Sequence, residues 1–492
     1  MFKKILIANR GEIACRVMVA AREMGIRTVA IYSDPDCDAL HVQEADEAYP
    51  LNGIESKESY LDAEKVLKIA KAAQVDAIHP GYGFLSENAD FALACQKAGI
   101  KFIGPSPESM RLLASKVSSK ELAKKAKVPI VPGHEGLLPR GKELEKIADK
   151  IGYPLLLKAA AGGGGKGMRV VHQASELEEM VEGAEREAIA FFKDKTLFIE
   201  KYVEHPKHIE VQLLGDEQGN LIHLFERECS IQRRHQKMIE ESPSPSLTDK
   251  LRKDICEAAL RIAKSADYYS AGTAEFLLDT QGNFYFLEVN TRLQVEHPVT
   301  EAVTGIDLVK AQIRIAAGET LGLKQEDISQ RGHAIECRLY AEDPENQFLP
   351  SEGKAAVLSE PQRPGVRIDS ALQEGKEILP YYDPMLAKLI CWGENRNEAI
   401  SKMLRLLRDY VLLGIRHNLD VLHYLIRSQA FQDGTYHTHS VSELLEGFSK
   451  ERASQQETLK ALSTLKAASQ TSVSEKSTSF NPVESFQGFR NV

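Results

Sequence analysis

No apolar run in the 492-residue sequence is long enough to span a membrane. Basic residues are not in excess: 62 Lys and Arg stand against 71 Asp and Glu, a net charge of −9. That balance argues against a nucleic-acid or anionic-membrane partner for the molecule as a whole. The 7 cysteines are scattered from Cys15 to Cys391 without a Cys-x-x-Cys pair, which excludes a disulfide frame or a cysteine zinc site and fits reduced thiols in a cytoplasmic protein. The apolar start Ile5-Leu-Ile-Ala stops at Asn9-Arg10, too soon for a secretion signal. Nucleotide fingerprints are missing too. The first turn, Asn9-Arg10-Gly11-Glu12, has a single glycine, and Gly162, Gly164 and Gly167 lead into strand-like Met168–Val171 where the dinucleotide fold needs a helix. Gly167 also follows Lys166 where a Walker loop needs Ser or Thr. What remains, at 43% hydrophobic and 27% charged residues, is the composition of a soluble globular enzyme of about two to four domains.

The most informative stretch is Phe284–Glu296. From Glu288 every second residue is polar (Glu288, Asn290, Arg292, Gln294, Glu296), the period of a strand with one charged face. At roughly 3.3 Å per residue a straight strand would spread the run over roughly 25 Å. A strand to about Asn290 is therefore expected, then a bend that gathers Arg292, Gln294 and Glu296. Gly272–Asp279 reads as the partner strand. A hairpin closing on Gln281-Gly282 pairs Thr280 with Asn283 and sets Glu275 opposite Glu288. Facing carboxylates about 4.5–5.5 Å apart repel unless a divalent cation lies between them, and oxygen ligands suit Mg²⁺. A solvated hairpin face is the other reading.

Residues 3–103 alternate strand-like runs (Lys4–Ala8, Thr28–Tyr32, Asp76–His79, Lys101–Ile103) with helical ones, predicting a parallel sheet covered by helices. His79-Pro-Gly-Tyr-Gly-Phe-Leu-Ser-Glu-Asn lies at a strand end and serves either a ligand or only a turn. A helix from Lys116 to Lys127 and a linker at Val128–Gly133 precede a smaller unit. There Pro154–Ala160, the glycine run from Gly162 and Met168–Val171 form a strand–loop–strand flap with Lys158 and Lys166 aimed at phosphates. Arg227 to Lys237 is the densest basic cluster and suggests a small polyanion. Arg338, on the alternating stretch Ala334–Asp343, is either paired structurally or catalytic. Met403, Leu407 and Tyr410 lie on a core stripe ending near Gly414. After about residue 450 a short helix carrying Leu459, Leu462 and Leu465, and then a polar tail, are expected.

In order along the chain, Ile7–Ala14, His79–Asn88, Gly162–Arg169, Gln232–Lys237, Glu288-x-Asn-x-Arg-x-Gln-Val-Glu-His-Pro-Val-Thr-Glu and Cys337-Arg-x-x-Ala-Glu-Asp-Pro resemble biotin carboxylase, an ATP-grasp enzyme. The resemblance runs from Met1 to about Glu446. It implies an α/β and α+β architecture: an N-terminal parallel α/β domain (1–103), a linker (104–130), an ATP-grasp lid (131–203), an ATP-grasp core (204–330), a C-terminal biotin carboxylase subdomain (331–446) and a tail (447–492). It implies ATP contacts at Lys116, Lys158, Gly164, Gly165, Lys166, Glu200, Lys201, Val203, His208, Gln232, His235, Glu275 and Glu288. Val203 and Lys166 stand where relatives often have Leu and Arg. Two Mg²⁺ or Mn²⁺ ions would be held by Glu275, Glu288 and Asn290, and bicarbonate by Lys237, Arg292, Gln294 and the Val295 backbone. The catalytic set would be Arg292, Glu296 and Arg338, with Arg338 also binding biotin.

In the chemistry so implied, Glu296 deprotonates bicarbonate for attack on the ATP γ-phosphate, and the flap shields the resulting carboxyphosphate. Phosphate then deprotonates biotin while Arg338 stabilises its enolate. Nothing resembles a Met-Lys-Met biotin-attachment motif, so biotin is expected on a separate carrier protein, with separate carboxyltransferase subunits and a homodimeric carboxylase. The preferred assignment is the first half-reaction of acetyl-CoA carboxylase, in fatty acid biosynthesis. Propionyl-CoA, methylcrotonyl-CoA or pyruvate carboxylases, or a carboxyphosphate enzyme with another acceptor, are the alternatives.

Overall fold

The computed structural model describes residues 1–134, 138–159, 168–192, 194–454 and 457. The expected loop residues Gly164, Gly165 and Lys166 and the leucines of the tail lie outside these. Contacts divide the chain into Met1–Val441 and Ser442–Val492. In the second unit residues 442–454 are helical.

The chain opens with a five-stranded parallel sheet ordered β3-β2-β1-β4-β5, from β1 (Lys4–Ile7), β2 (Arg27–Tyr32), β3 (Glu47–Pro50), β4 (Ala77–His79) and β5 (Lys101–Phe102). Ile5, Leu6 and Ile7 are fully buried, as a central parallel strand covered on both faces requires. Helices Ala63–Ala72 and Ala89–Lys97 begin where Asp62 and Asn88 accept the backbone N–H three residues on. Edge strand β3 was not expected. Its Glu-Ala-Tyr-Pro sequence lacks an apolar run and ends in the residue that sheets tolerate at an edge.

The glycine-rich turn after β4 is a built piece of scaffold. Asn9 Nδ2 donates to the carbonyls of Pro80 (2.8 Å) and Tyr82 (2.7 Å). Gly81 has φ +62°, and a Cβ there would lie 2.9 Å from Asn9 Nδ2, so only glycine fits.

A four-stranded sheet follows, ordered β6-β9-β7-β8, from β6 (Gly133–His134), β7 (Leu155–Ala159), β8 (Met168–Val171) and β9 (Leu197–Lys201). Helices Lys142–Ile151 and Leu177–Phe192 cover it, closing a small core of Leu144, Leu157, Val181 and Ile199.

The largest sheet has eight strands: β14 (Phe284–Asn290), β13 (Ser270–Leu278), β10 (Lys207–Gly215), β11 (Leu221–Arg233), β12 (Gln236–Ser242), β15 (His333–Tyr340), then Met385–Gly393 and Val366–Ser370. Strands from before residue 291 and from after residue 332 thus form one continuous sheet, joined where β12 pairs with β15. The 128–133 linker is pinned to it, since the Phe286 N–H donates to the Pro129 carbonyl at 2.8 Å. The stripe of Met403, Leu407 and Tyr410 is buried as expected, but its helix, Arg396–Asp409, stops before Tyr410 and Gly414. The chain there becomes strand Val411–Leu413, paired with Val357–Ser359.

Candidate active site

The hairpin of β13 and β14 places Glu275 opposite Glu288. It does so by a route the sequence does not show. The turn closes between Asp279 and Asn283, one residue away from a Thr280–Asn283 closure, and a bulge between Glu275 and Phe276 restores the register. The strand ends at Asn290, and the bend that follows brings Gln294 back onto β13. Gln294 Nε2 and Asn290 Nδ2 each donate to Glu275 Oε1 at 2.7 Å. Glu296 reaches Lys237 Nζ (2.7 Å) and Arg338 Nη2 (2.8 Å).

Lys237 is the hub. Its ammonium also contacts Glu210 and, at 3.2 Å, Glu275. His208 Nε2 lies 3.0 Å from Glu275 and 3.3 Å from Glu210, and the Gln232 amide is 3.4 Å from His208 Nδ1. Burial alone would lower the His208 imidazole, but the carboxylates of Glu275 and Glu210 raise it to about 9. Burial would likewise raise Glu275, Glu210 and Glu296. Lys237 holds all three below the ordinary range, with help from His208 on the first two and from Arg338 on Glu296. Loss of hydration, and then the facing Glu275 charge, push the Glu288 carboxyl up, while Lys116 draws it down. Glu288 is the acid of this face left repelling its neighbour.

The basic cluster from Arg227 to Lys237 is not one anion site. It is a β-hairpin, β11 to β12, whose tip residues Arg234 and His235 have φ +49° and +68°. Alternation sends its side chains to different places. Arg227 is fully buried, bonding Glu210, Gln212, Thr273, Thr300 and Gln294 at 2.7–3.1 Å. It is a strut that fixes Gln294. Arg233 turns to Glu342, while Lys237 enters the acidic cleft, where it meets the Glu210 oxygen opposite the one Arg227 holds.

On the lid side, Lys158 Nζ is 2.6 Å from Glu200, which Lys120 also contacts. The Lys201 ammonium points away, to the carbonyls of Gly152 and Tyr153, so its expected nucleotide contact has no side-chain basis here. Val203 follows β9 and is half-buried. His235 is lowered by burial and then by the charge of His208.

Sequence reading missed several participants. Glu210 joins His208, Arg227 and Lys237 and was legible only as the middle of the alternation His208-Glu210-Gln212. Glu87, from the loop after Gly81, accepts from Arg292 Nε at 2.9 Å and from the Thr291 N–H at 3.1 Å. Glu240 holds Arg338 Nε at 2.6 Å. Lys388, fully buried, donates to the Val295 carbonyl at 3.3 Å and pairs with Glu12 (3.1 Å) and Asp369 (3.4 Å).

Residues 1–110 match the family described as biotin carboxylase, N-terminal domain, and residues 336–443 match the biotin carboxylase C-terminal domain. Residues 115–324 match the ATP binding domain of the carbamoyl-phosphate synthase L chain. Biotin carboxylase 2 of Bacillus subtilis is 50% identical over 434 residues, 88% of this chain and 98% of that protein. The chain belongs to the biotin carboxylase family. Among other biotin carboxylase relatives, a pyruvate carboxylase component of Methanothermobacter thermautotrophicus is 50% identical over 451 residues, 92% of each chain. The biotin carboxylase domain dimer of Hydrogenobacter thermophilus 2-oxoglutarate carboxylase, solved with MgADP, ADP and bicarbonate, superposes with a TM-score of 0.84 at 48% identity. It covers 90% of this chain and 99% of that one. Family membership makes the chain an ATP-dependent ligase, the biotin carboxylase component of a biotin-dependent carboxylase.

Proposed function

We propose that this biotin carboxylase uses ATP and bicarbonate to carboxylate biotin borne on a separate carrier protein, in the cleft between β12, β13 and the Arg292–Glu296 bend. The observation that carries the reading is the shared hold of Lys237 and Arg338 on Glu296, at 2.7 and 2.8 Å. An anion arriving beside Glu296 meets Lys237 and Arg292 as its counter-charges. As Lys237 turns towards it, Glu296 loses one of the cations that depress its proton affinity and becomes the stronger base bicarbonate requires. Arg338, kept extended by Glu240, is then placed to meet the developing negative charge on a biotin ureido oxygen.

The donor set fits a divalent cation. Glu275 and Glu288 face each other across one hairpin, and the facing Glu275 charge, which adds to loss of hydration in raising the Glu288 carboxyl, is what a cation would offset. Glu275, Glu288 and Asn290 would hold Mg²⁺, which when bound neutralises phosphate charge. Lys116, Lys158, Glu200, Val203, His208, Gln232 and His235 would line the nucleotide side; Gly164, Gly165 and Lys166, expected to contact it too, lie outside the described residues. Lys201 would contribute only through its backbone.

The relatives include carboxylases of different acids, and the biotin half-reaction is common to them. Acetyl-CoA remains the acceptor we propose, and a homodimer the assembly, as in the Hydrogenobacter domain. The test is phosphate release from ATP with bicarbonate, with and without free biotin. Stimulation by biotin and its loss in Glu296→Ala are expected; stimulation by ammonia instead overturns the reading. Reconstitution with candidate carrier and carboxyltransferase chains, offered acetyl-CoA, methylcrotonyl-CoA and pyruvate in turn, identifies the acceptor.

A further inference from the structure

Away from the carboxylate cleft, the fold brings three histidines together. His205 comes from the turn between β9 and β10, and His437 and His439 from the segment after the short helix Gln429–Gln432. One ring nitrogen of each lies within 4.8 Å of the other two. The His205 and His437 ring centroids are 4.4 Å apart, and His439 lies 6.2 and 6.0 Å from them. His205 and His437 are 232 positions apart in sequence (437 − 205), so no local pattern explains the grouping.

The geometry points to a binding site for a borderline transition-metal ion of the Zn²⁺ and Co²⁺ class, with His205, His437 and His439 as ligands. Imidazole selects such ions over Mg²⁺, which the oxygen-rich cleft prefers. At Zn–N bonds of about 2.0–2.1 Å, three tetrahedral ligand nitrogens stand about 3.3 Å apart. The separations here must close by at most about 1.5 Å, within the reach of rotamer changes for one exposed and two half-exposed rings. Two further observations agree. Ligating histidines characteristically engage their second ring nitrogen in a hydrogen bond. His439 Nε2 lies 3.5 Å from the Tyr202 hydroxyl, and His437 Nδ1 accepts the His439 N–H at 3.3 Å. His205 also holds φ +47°, a left-handed conformation uncommon for a residue with a Cβ. An ion bound here ties the β9–β10 connection, which carries Val203, to the segment around His439, and so restrains the arm by which the lid sheet is attached.

The test uses the whole chain, stripped with a chelator and held in excess Mg²⁺ without nucleotide. Co²⁺ is added and followed by visible absorption and by equilibrium dialysis. One equivalent per chain, displaced by Zn²⁺, is expected. Affinity should fall by at least about 10-fold in His439→Ala and in His205→Asn, since losing even a hydrogen-bond partner of a ligand has that effect. Asparagine tolerates the left-handed backbone, so the second variant separates ligand loss from misfolding. Cys37→Ser, which removes an exposed thiol, should bind as the parent does. Absence of binding above the Mg²⁺ background, unchanged affinity in either histidine variant, or loss of binding in Cys37→Ser overturns the site.

Discussion

Glu240 and Glu241 are neighbours on β12, both fully buried, yet they live in opposite electrostatic worlds. Alternation along the strand sends them to different faces of the eight-stranded sheet. Glu241 has a donor for every lone pair it needs: Arg396 at 2.7 and 2.9 Å, His333 at 2.5 Å and the Tyr436 hydroxyl at 2.5 Å. Burial would raise it, but these donors bring it down to about 2. Among the described residues Glu240 bonds only Arg338, which it shares with Glu296, and its Oε2 has no hydrogen-bond partner; burial, aided by the Glu296 charge, lifts it to about 7. The closed cluster is a structural lock. The other face, where acids compete for too few cations, is able to receive an anion or surrender a proton. Burial of charge alone therefore does not mark a functional site; an unfinished set of partners does.

The largest effect that would break this contrast is on turnover. Glu296→Ala should lower biotin-dependent phosphate release by about 10²–10⁴-fold with a retained fold. A variant keeping half its activity would remove Glu296 from the base role.

Next comes stability on the closed side. Glu241→Gln leaves Arg396 and His333 without their carboxylate and should destabilise the protein by about 3–5 kcal/mol in chemical denaturation. A loss below about 1 kcal/mol would show that the cluster is not a lock.

The two neighbours should also bend the stability curve in opposite senses. The lowered Glu241 contributes stability that is full above about pH 4.5 and is lost as pH falls through about 2. The raised Glu240 favours the folded state most below about pH 4.5, and that contribution disappears as pH rises through about 7. Each is worth up to about 3 kcal/mol, at about 1.4 kcal/mol per tenfold change in proton affinity. Glu240→Gln should flatten the curve between about pH 4.5 and 7, and an unchanged slope would refute the assignment. His208, raised to about 9, adds a term that is full below about pH 6.5 and fades as pH rises through about 9.

The smallest change in stability is expected for Glu288→Gln, which relieves repulsion with Glu275 and should leave folding within about 1 kcal/mol of the parent. Metal-dependent ATP turnover should nonetheless collapse. Severe unfolding of that variant would instead make Glu288 structural.

How far the sequence reveals this site depends on the range of the interaction. The facing of Glu275 and Glu288 is legible because alternation and a short turn are local, although the turn closes one residue earlier than its sequence suggests and a bulge compensates. The bend after Asn290 follows from strand length alone; it brings Gln294 to Glu275 and Glu296 to Lys237 and Arg338, whereas Arg292 pairs with Glu87. The parallel order of the first sheet follows from alternating helix and strand patterns, whereas its polar edge β3 carries no such pattern. Arg227 looks like its basic neighbours until the hairpin turns it inward onto Glu210. Glu87, Glu240 and Lys388 act on residues far along the chain, and nothing near them in sequence names those partners.

Lys388 sets a limit on modularity. Its ammonium, fully buried beneath the Val295 carbonyl, is balanced by Asp369 from its own half of the chain and by Glu12 from the first helix after β1. A chain cut to begin after the N-terminal sheet would keep the lysine and discard one of its counter-ions. The Val295 bend would then rest on a buried charge with one counter-ion fewer. Dividing the enzyme between two polypeptides, or grafting a foreign N-terminal sheet onto it, therefore requires a carboxylate supplied at the position of Glu12. The N-terminal sheet and the C-terminal half are electrically joined across the boundary expected near residue 103.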